Sequence, residues 1–136
     1  MIQEDQLQQR MWLRRLGLFS VNRTSRDMFN SMQYAADQLD KPENAVVIFP
    51  QGSLQSNHCT EIRLEKGISH IIKNIKGDCQ IIYVSVLIDY FESFKPTAYF
   101  HLMDGGTNHD FNFEKLAKQI NDFQQQALKN QITIKH

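Results

Sequence analysis

The strongest constraint on the fold is an alternation, along the whole chain, of apolar runs typical of β-strands with segments of helical periodicity. Helices are predicted over residues 4–16, 25–40 and 66–76 and from Asn112 onward, with Ser25 and Asn112 as the expected caps of the second and last. Strands are predicted over residues 17–22, 45–49, 80–88 and 97–103. In α/β domains the helices cover both faces of the sheet, so buried strands appear as nearly unbroken apolar runs such as Ala45–Phe49. The sequence therefore predicts a single α/β domain over residues 1–136, with a mostly parallel sheet flanked by helices.

Composition limits what such a domain binds. Fifteen acidic residues balance fifteen basic ones, so bulk electrostatics does not favour nucleic acid. Cys59 and Cys79 have no metal-ligand spacing, and neither a metal nor a cofactor is predicted. The N-terminus lacks a signal-peptide core, and the longest apolar run, Ile81–Ile88, is too short to span a bilayer. The sequence predicts a cytoplasmic protein, with a place at the inner face of the membrane left open.

Two predicted strand ends carry residues suited to a binding site. The run Ala45–Phe49 stops at Pro50, and the polar loop after it contains Gly52, which allows close approach of a ligand. Arg23 follows another predicted strand, and its guanidinium suits bidentate recognition of a phosphate. Because ligands bind at the carboxyl ends of parallel strands, both strand ends are expected in one crevice. A polar surface turn and a solvated arginine remain the alternatives.

Four segments carry a resemblance to a known family. Gly17–Arg23 (GLFSVNR) resembles the second conserved block of the glycerolipid acyltransferases, the 1-acylglycerol-3-phosphate or lysophospholipid acyltransferase family. Ile48–Ser53 (IFPQGS) resembles the third block, usually F-P-E-G-T, and Leu64–Ile68 resembles the K-x-G helix start that follows it. Ile82–Ile88 resembles the fourth block, which is normally rich in V-P-V. Order and spacing agree over roughly residues 14–90.

This resemblance implies acyl transfer from acyl-CoA or acyl carrier protein to a hydroxyl of a lysophospholipid or of glycerol phosphate. In the family, the histidine of an H-x-x-x-x-D block is the general base that activates the acceptor hydroxyl. The matching positions for binding the acceptor's glycerol-phosphate portion are Arg23, Gln51, Gly52 and Ser53, and Gly17 and Pro50 are structural members. The implied partners are the acyl donor and the acceptor, with peripheral membrane contact.

The sequence departs from the family pattern at several places. Gln51 replaces the usual glutamate, Leu54 stands where arginine is common, and Ser85 replaces the proline of the fourth block. No histidine precedes Gly17, although the H-x-x-x-x-D block should lie there. His109, followed by Glu114 at that spacing, lies after the fourth block and is rejected as the catalytic pair. No catalytic residue is therefore assigned.

We expect a phospholipid-metabolism domain that is N-terminally truncated relative to the family and impaired or inactive as it stands, so whether it is an enzyme stays open. The alternatives are a non-catalytic lipid- or membrane-binding module and a truncated remnant. Trp12 among arginines suits a membrane interface, but core packing is favoured for it. Core or edge-strand packing is likewise favoured, over an acyl-chain groove, for the aromatic residues Tyr90, Phe91, Phe94, Tyr99 and Phe100.

Overall fold

The computed structural model describes residues 2–3, 20–21, 25–52, 55–56, 58–91 and 94–133. The elements, in chain order, are β1 (Ile2–Gln3), β2 (Ser20–Val21), α1 (Ser25–Leu39), α2 (Gly67–Lys73), β3 (Gln80–Asp89), β4 (Thr97–Thr107) and α3 (Phe113–Thr133). They fall into two compact units, which we call unit 1 (Met1–Pro50 and Lys66–Cys79) and unit 2 (Gln51–Glu65 and Gln80–His136). No helix within the described ranges is both long enough and apolar enough to cross a bilayer.

Unit 1 is built on the packing of α1 against α2. The apolar positions of α1 recur at helical spacing, and Met32, Ala35 and Ala36 are buried as that spacing predicts. They meet Ile71 and Ile75 from the region of α2 in one core cluster. In the same unit β1 and β2 form a short parallel pair, Ile2 with Ser20 and Gln3 with Val21. The side chain of Ser25, the expected cap of α1, lies outside the described part of the chain.

Asp40 joins the end of α1 to the turn after α2. Its Oδ1 accepts hydrogen bonds from the backbone N–H of Lys76 at 2.7 Å and of Gly77 at 3.1 Å. Because these bonds favour the charged carboxylate, with the Lys76 bond first in size, they hold the pKa of Asp40 below its ordinary value of 3.8. The carboxylate therefore closes this turn in its ionised form.

We expect the stability that Asp40 supplies to disappear in acid. A carboxyl whose pKa is lower folded than unfolded stabilises the fold above its unfolded pKa and loses that effect as pH falls through its folded pKa. Wild type should be more stable than Asp40→Asn at neutral pH, and the difference should vanish as pH falls below about 3.8. Denaturant unfolding at a series of pH values measures this, with Glu43→Gln, at an exposed site in the same unit, as control. A difference that persisted in strong acid would contradict the assignment.

Unit 2 consists of a long antiparallel ribbon with a helix on one face. β3 and β4 are aligned so that Tyr83 lies opposite Met103, Ser85 opposite His101 and Leu87 opposite Tyr99. Successive side chains of a strand point to opposite faces, and these odd-numbered positions are the more buried set. Buried and half-buried side chains of the loop, the ribbon and α3 form one core: Ile62, Leu64, Ile81, Tyr83, Met103, Phe111, Leu116 and Ile120.

Side-chain hydrogen bonds attach the flanking segments of unit 2. Asn112 Oδ1 accepts from the N–H of Lys115 at 2.9 Å, which confirms Asn112 as the cap of α3. Asn121, on α3, receives the N–H of Ile62 at 2.7 Å and donates to the Ile62 carbonyl at 3.0 Å. This reciprocal pair fixes the loop before α2 to the middle of α3.

The predicted mostly parallel α/β sheet is wrong. Among the described strands, the long pairing is the antiparallel one between β3 and β4, and the parallel pairing of β1 with β2 covers two residues of each strand. A parallel pair needs a crossover of a dozen or more residues, whereas residues 90–96 join β3 directly to β4. The connection was too short for the topology that the alternation of elements suggested.

The predicted strand Ala45–Phe49 is also wrong. These residues belong to no strand; Val46 and Ile48 pack on the core of unit 1, while Val47 and Phe49 are largely exposed. Exposed and half-buried side chains thus alternate along residues 45–49, as in a segment with one face toward the core. Backbone pairing is what distinguishes such a segment from a strand, and residues 45–49 pair with no strand in the part of the chain that the structure describes.

Candidate functional site

The candidate site is the loop that follows Phe49. Pro50 and Gln51 lie in a turn, both half-buried, and the exposed Gly52 follows. Three residues assigned to the site by the family resemblance, Arg23, Ser53 and Gly17, lie outside the described residues. The described part of the candidate site therefore consists of Gln51 and Gly52 with their neighbours in unit 2.

Gly52 has a backbone conformation that favours glycine, and it lies close to the side chain of Glu65. Its φ is +67°, in the left-handed region that residues with a Cβ adopt at a cost of roughly 1–2 kcal/mol. A Cβ added at this position would lie 3.1 Å from Cγ and 3.3 Å from Oε1 of Glu65. The glycine therefore lets the turn pass directly against the side chain of Glu65.

The amide of Gln51 is used within the loop. Its Nε2 donates a hydrogen bond to Oε1 of Gln55 at 2.8 Å, a bond that a glutamate carboxylate could not donate. The thiol of Cys59 lies 3.3 Å from the same Gln55 oxygen and 2.9 Å from the carbonyl of Glu61. Glutamine at position 51 thus has a local structural role in place of the charge that the family usually has there.

The described charges of the loop do not make an anion site by themselves. Arg63 Nε lies 3.7 Å from Glu61 Oε1, and both side chains are largely exposed, so this ion pair contributes little. Glu65 beside Gly52 adds a negative charge.

Other reactive side chains give no alternative centre in the described ranges. No group of three histidine, cysteine, aspartate or glutamate side chains there is arranged to hold a metal ion. Burial raises the pKa of the Cys79 thiol, which disfavours the nucleophilic thiolate. His101 faces Ser85 across the ribbon, and its Nε2 is buried without a hydrogen-bond partner, while the Ser85 hydroxyl donates to Gln124 Oε1 at 2.6 Å.

The surface that sequence analysis missed is the second face of the ribbon. The apolar run Ile81–Ile88 is typical of a buried strand, yet the even-numbered side chains of β3 are exposed. Of the aromatic residues for which core or edge-strand packing was predicted, Tyr90, Phe91, Phe94 and Phe100 are exposed and therefore do not lie in the core, although Phe100 is on the edge strand β4. Tyr99 is half-buried and makes an edge-to-face contact with Phe91, their ring centroids 5.9 Å apart. No sequence signal distinguished the covered face from the open one, because both are apolar.

Comparisons with known proteins give no match to this chain. No protein-family model matches the chain, and no curated protein and no solved structure is significantly similar to it. The functional assignment therefore rests on the chain's own residues and on their geometry.

Proposed function

We propose that this chain binds the acceptor of a glycerolipid acyltransferase reaction, a lysophospholipid or glycerol phosphate, and transfers no acyl group by itself. Arg23 would pair with the phosphate, and Gln51, Gly52 and Ser53 would contact the glycerol portion. This role rests on the residues of the motifs and not on the mostly parallel sheet that the alternation of helices and strands predicted.

The observation that carries the proposal is the left-handed turn at Gly52, which lies close to the side chain of Glu65. These residues belong to two separate segments that resemble the family, the third block and the K-x-G helix start. Twelve residues separate them in sequence (53–64), yet an added Cβ at Gly52 would touch the Glu65 side chain. The left-handed Gly52 and its close neighbour give the P-Q-G turn a defined shape, as a loop that presents backbone N–H groups to a ligand requires.

We expect the residues of this sequence alone to give little turnover, because they contain no H-x-x-x-x-D pair. Loss of a general base costs roughly a hundred- to ten-thousand-fold in rate. An acyl-CoA or acyl carrier protein would serve as donor only where that base is supplied. The proposed place of action is cytoplasmic, at the inner face of the membrane where such acceptors occur; the fully exposed Phe94 is suited to that surface.

Binding of glycerol 3-phosphate and of monomeric lysophosphatidic acid, measured by calorimetry, tests the proposal. We expect saturable binding that Arg23→Ala weakens about 10- to 100-fold, the effect of losing a charged hydrogen bond. Gly52→Ala should weaken it as well, because the turn and the Glu65 contact are both disturbed.

Matched controls are present in the chain. Arg63→Ala removes an exposed arginine from the same region, and Gly106→Ala places a Cβ at another left-handed glycine, φ +84°, where no atom lies within 4 Å. Both should bind like wild type. A folded protein that binds neither ligand contradicts the proposal. Acyl transfer from acyl-CoA at a rate typical of a complete enzyme would contradict its second half.

A further inference from the structure

The face of unit 2 that points away from α3 is an apolar surface whose side chains are exposed among the residues that the structure describes. Its exposed side chains come from alternate positions of β3 and β4 and are between 42% and 64% exposed. We call this set the open face: Ile82, Val84, Val86, Ile88, Phe100 and Leu102. Register places Val84 opposite Leu102 and Val86 opposite Phe100, so the six side chains form one continuous surface.

The size of the open face matches half of a specific interface. Taking full exposure of such side chains as roughly 150–200 Å² each, the six expose on the order of 600 Å² of apolar surface. Monomers rarely expose a larger contiguous patch. Two copies brought face to face would bury on the order of 1,200 Å² in total, the lower limit for stable specific association.

The open face is also complementary to itself. β3 contributes a column of β-branched side chains, including Val84 and Val86, and β4 contributes the larger Phe100 and Leu102. A two-fold axis that runs parallel to the strands, between two facing ribbons, places the β3 column of each copy over the β4 column of the other. Large side chains then meet small ones at the usual spacing of about 10 Å between packed sheets.

Charge favours a second copy over a bilayer as the occupant. On this face of the paired strands the charged residue is Asp104, which lies opposite Ile82. Its Oδ1 accepts a hydrogen bond from the N–H of Gly106 at 2.8 Å. Binding to anionic lipid would need lysine or arginine around the apolar surface, and none lies on the open face. The formal net charge of zero gives two copies no long-range repulsion.

We propose that the chain forms a two-fold symmetric dimer in which the open faces of two copies pack together. This inference is independent of the proposed function, because the open face and the P-Q-G loop use different residues. Sedimentation equilibrium of the full chain over a wide concentration range should show a monomer–dimer equilibrium. Val86→Glu, which places a charge at the centre of the face in both copies, should raise the dissociation constant by about 30-fold or more.

Val47→Glu is the matched control, because it makes the same substitution at an exposed valine that belongs to unit 1 and not to the open face. It should dimerise like wild type, and circular dichroism should show that both variants are folded. To test the geometry, chains carrying Val86→Cys are mixed with chains carrying Phe100→Cys, both also carrying Cys59→Ala and Cys79→Ala. A short bismaleimide reagent should join the two kinds of chain to each other.

The alternative occupants give distinct results. A protein that stays monomeric at all concentrations overturns the proposal. If that monomer sediments with vesicles of anionic phospholipid, a membrane is the occupant of the open face; if it does not, the rest of the chain covers the face. A dimer that Val86→Glu leaves intact also overturns it, because the contact must then lie elsewhere.

Discussion

Replacing Ile120 by alanine is expected to lower the free energy of unfolding by about 3 kcal/mol. Ile120 lies on α3, is 2% exposed, and packs with Ile62 and Leu116 where the loop, the ribbon and the helix meet. Removing three buried carbon atoms loses their transfer free energy and leaves a cavity between segments that other contacts hold in place. Denaturant unfolding measures the change, and hydrogen exchange should show lost protection in β3, β4 and α3.

Ile82→Ala is the control for Ile120→Ala. It makes the same change in the same unit, on the open face, where 55% of the residue is already in contact with water. Measured at dilute protein concentration, it should cost less than about 1 kcal/mol. Equal losses at the two positions would show that Ile120 is not at the centre of the core.

Replacing Gln124 by leucine is expected to cost about 2 kcal/mol, because it leaves the buried hydroxyl of Ser85 without its acceptor. The Ser85 hydroxyl donates to Gln124 Oε1 at 2.6 Å, and both residues are about 95% buried. Two turns further along α3, Gln131 is buried too and donates to Asp89 Oδ2 at 2.9 Å. The two pairs join the same helix face to the same strand, so they specify how α3 is aligned along β3.

A double-mutant cycle separates this hydrogen bond from the rest of the side chain. Ser85→Ala and Gln124→Leu should each destabilise the protein, and the double variant should be more stable than the sum of the two losses predicts, because no unpaired polar atom remains. Gln125→Leu, at an exposed position on the same helix, should stay within about 0.5 kcal/mol of wild type. Additive losses would mean that the Ser85–Gln124 bond does not stabilise the fold.

Local chemistry was enough to predict several elements. The apolar spacing between Met32 and Ala36 placed α1, Asn112 marked the start of α3, and the run beginning at Gln80 located β3. Each of these signals depends on neighbours within one or two turns of the chain. The P-Q-G turn belongs to the same class, because Gly52 is the residue that a left-handed turn requires.

Strand pairing was not predicted in the same way. The alternation of helices and strands suggested parallel pairing, although the short segment 90–96 between β3 and β4 already favoured an antiparallel ribbon. Ser85 interrupts the apolar run of β3, but its partner Gln124 is 39 residues away and had no visible signal. Partners that are distant in sequence are determined by tertiary packing. The sequence alone is compatible with many such pairings.

The sequence by itself determined where helices begin and which of their faces are apolar. Only the tertiary structure decided that Ala45–Phe49 forms no strand, that β3 pairs with β4 and that one side of this ribbon stays open. The physical reason is the range of the interactions. Helix hydrogen bonds and turn conformations form between near neighbours, whereas a strand and the cover of its two faces depend on segments brought together by folding.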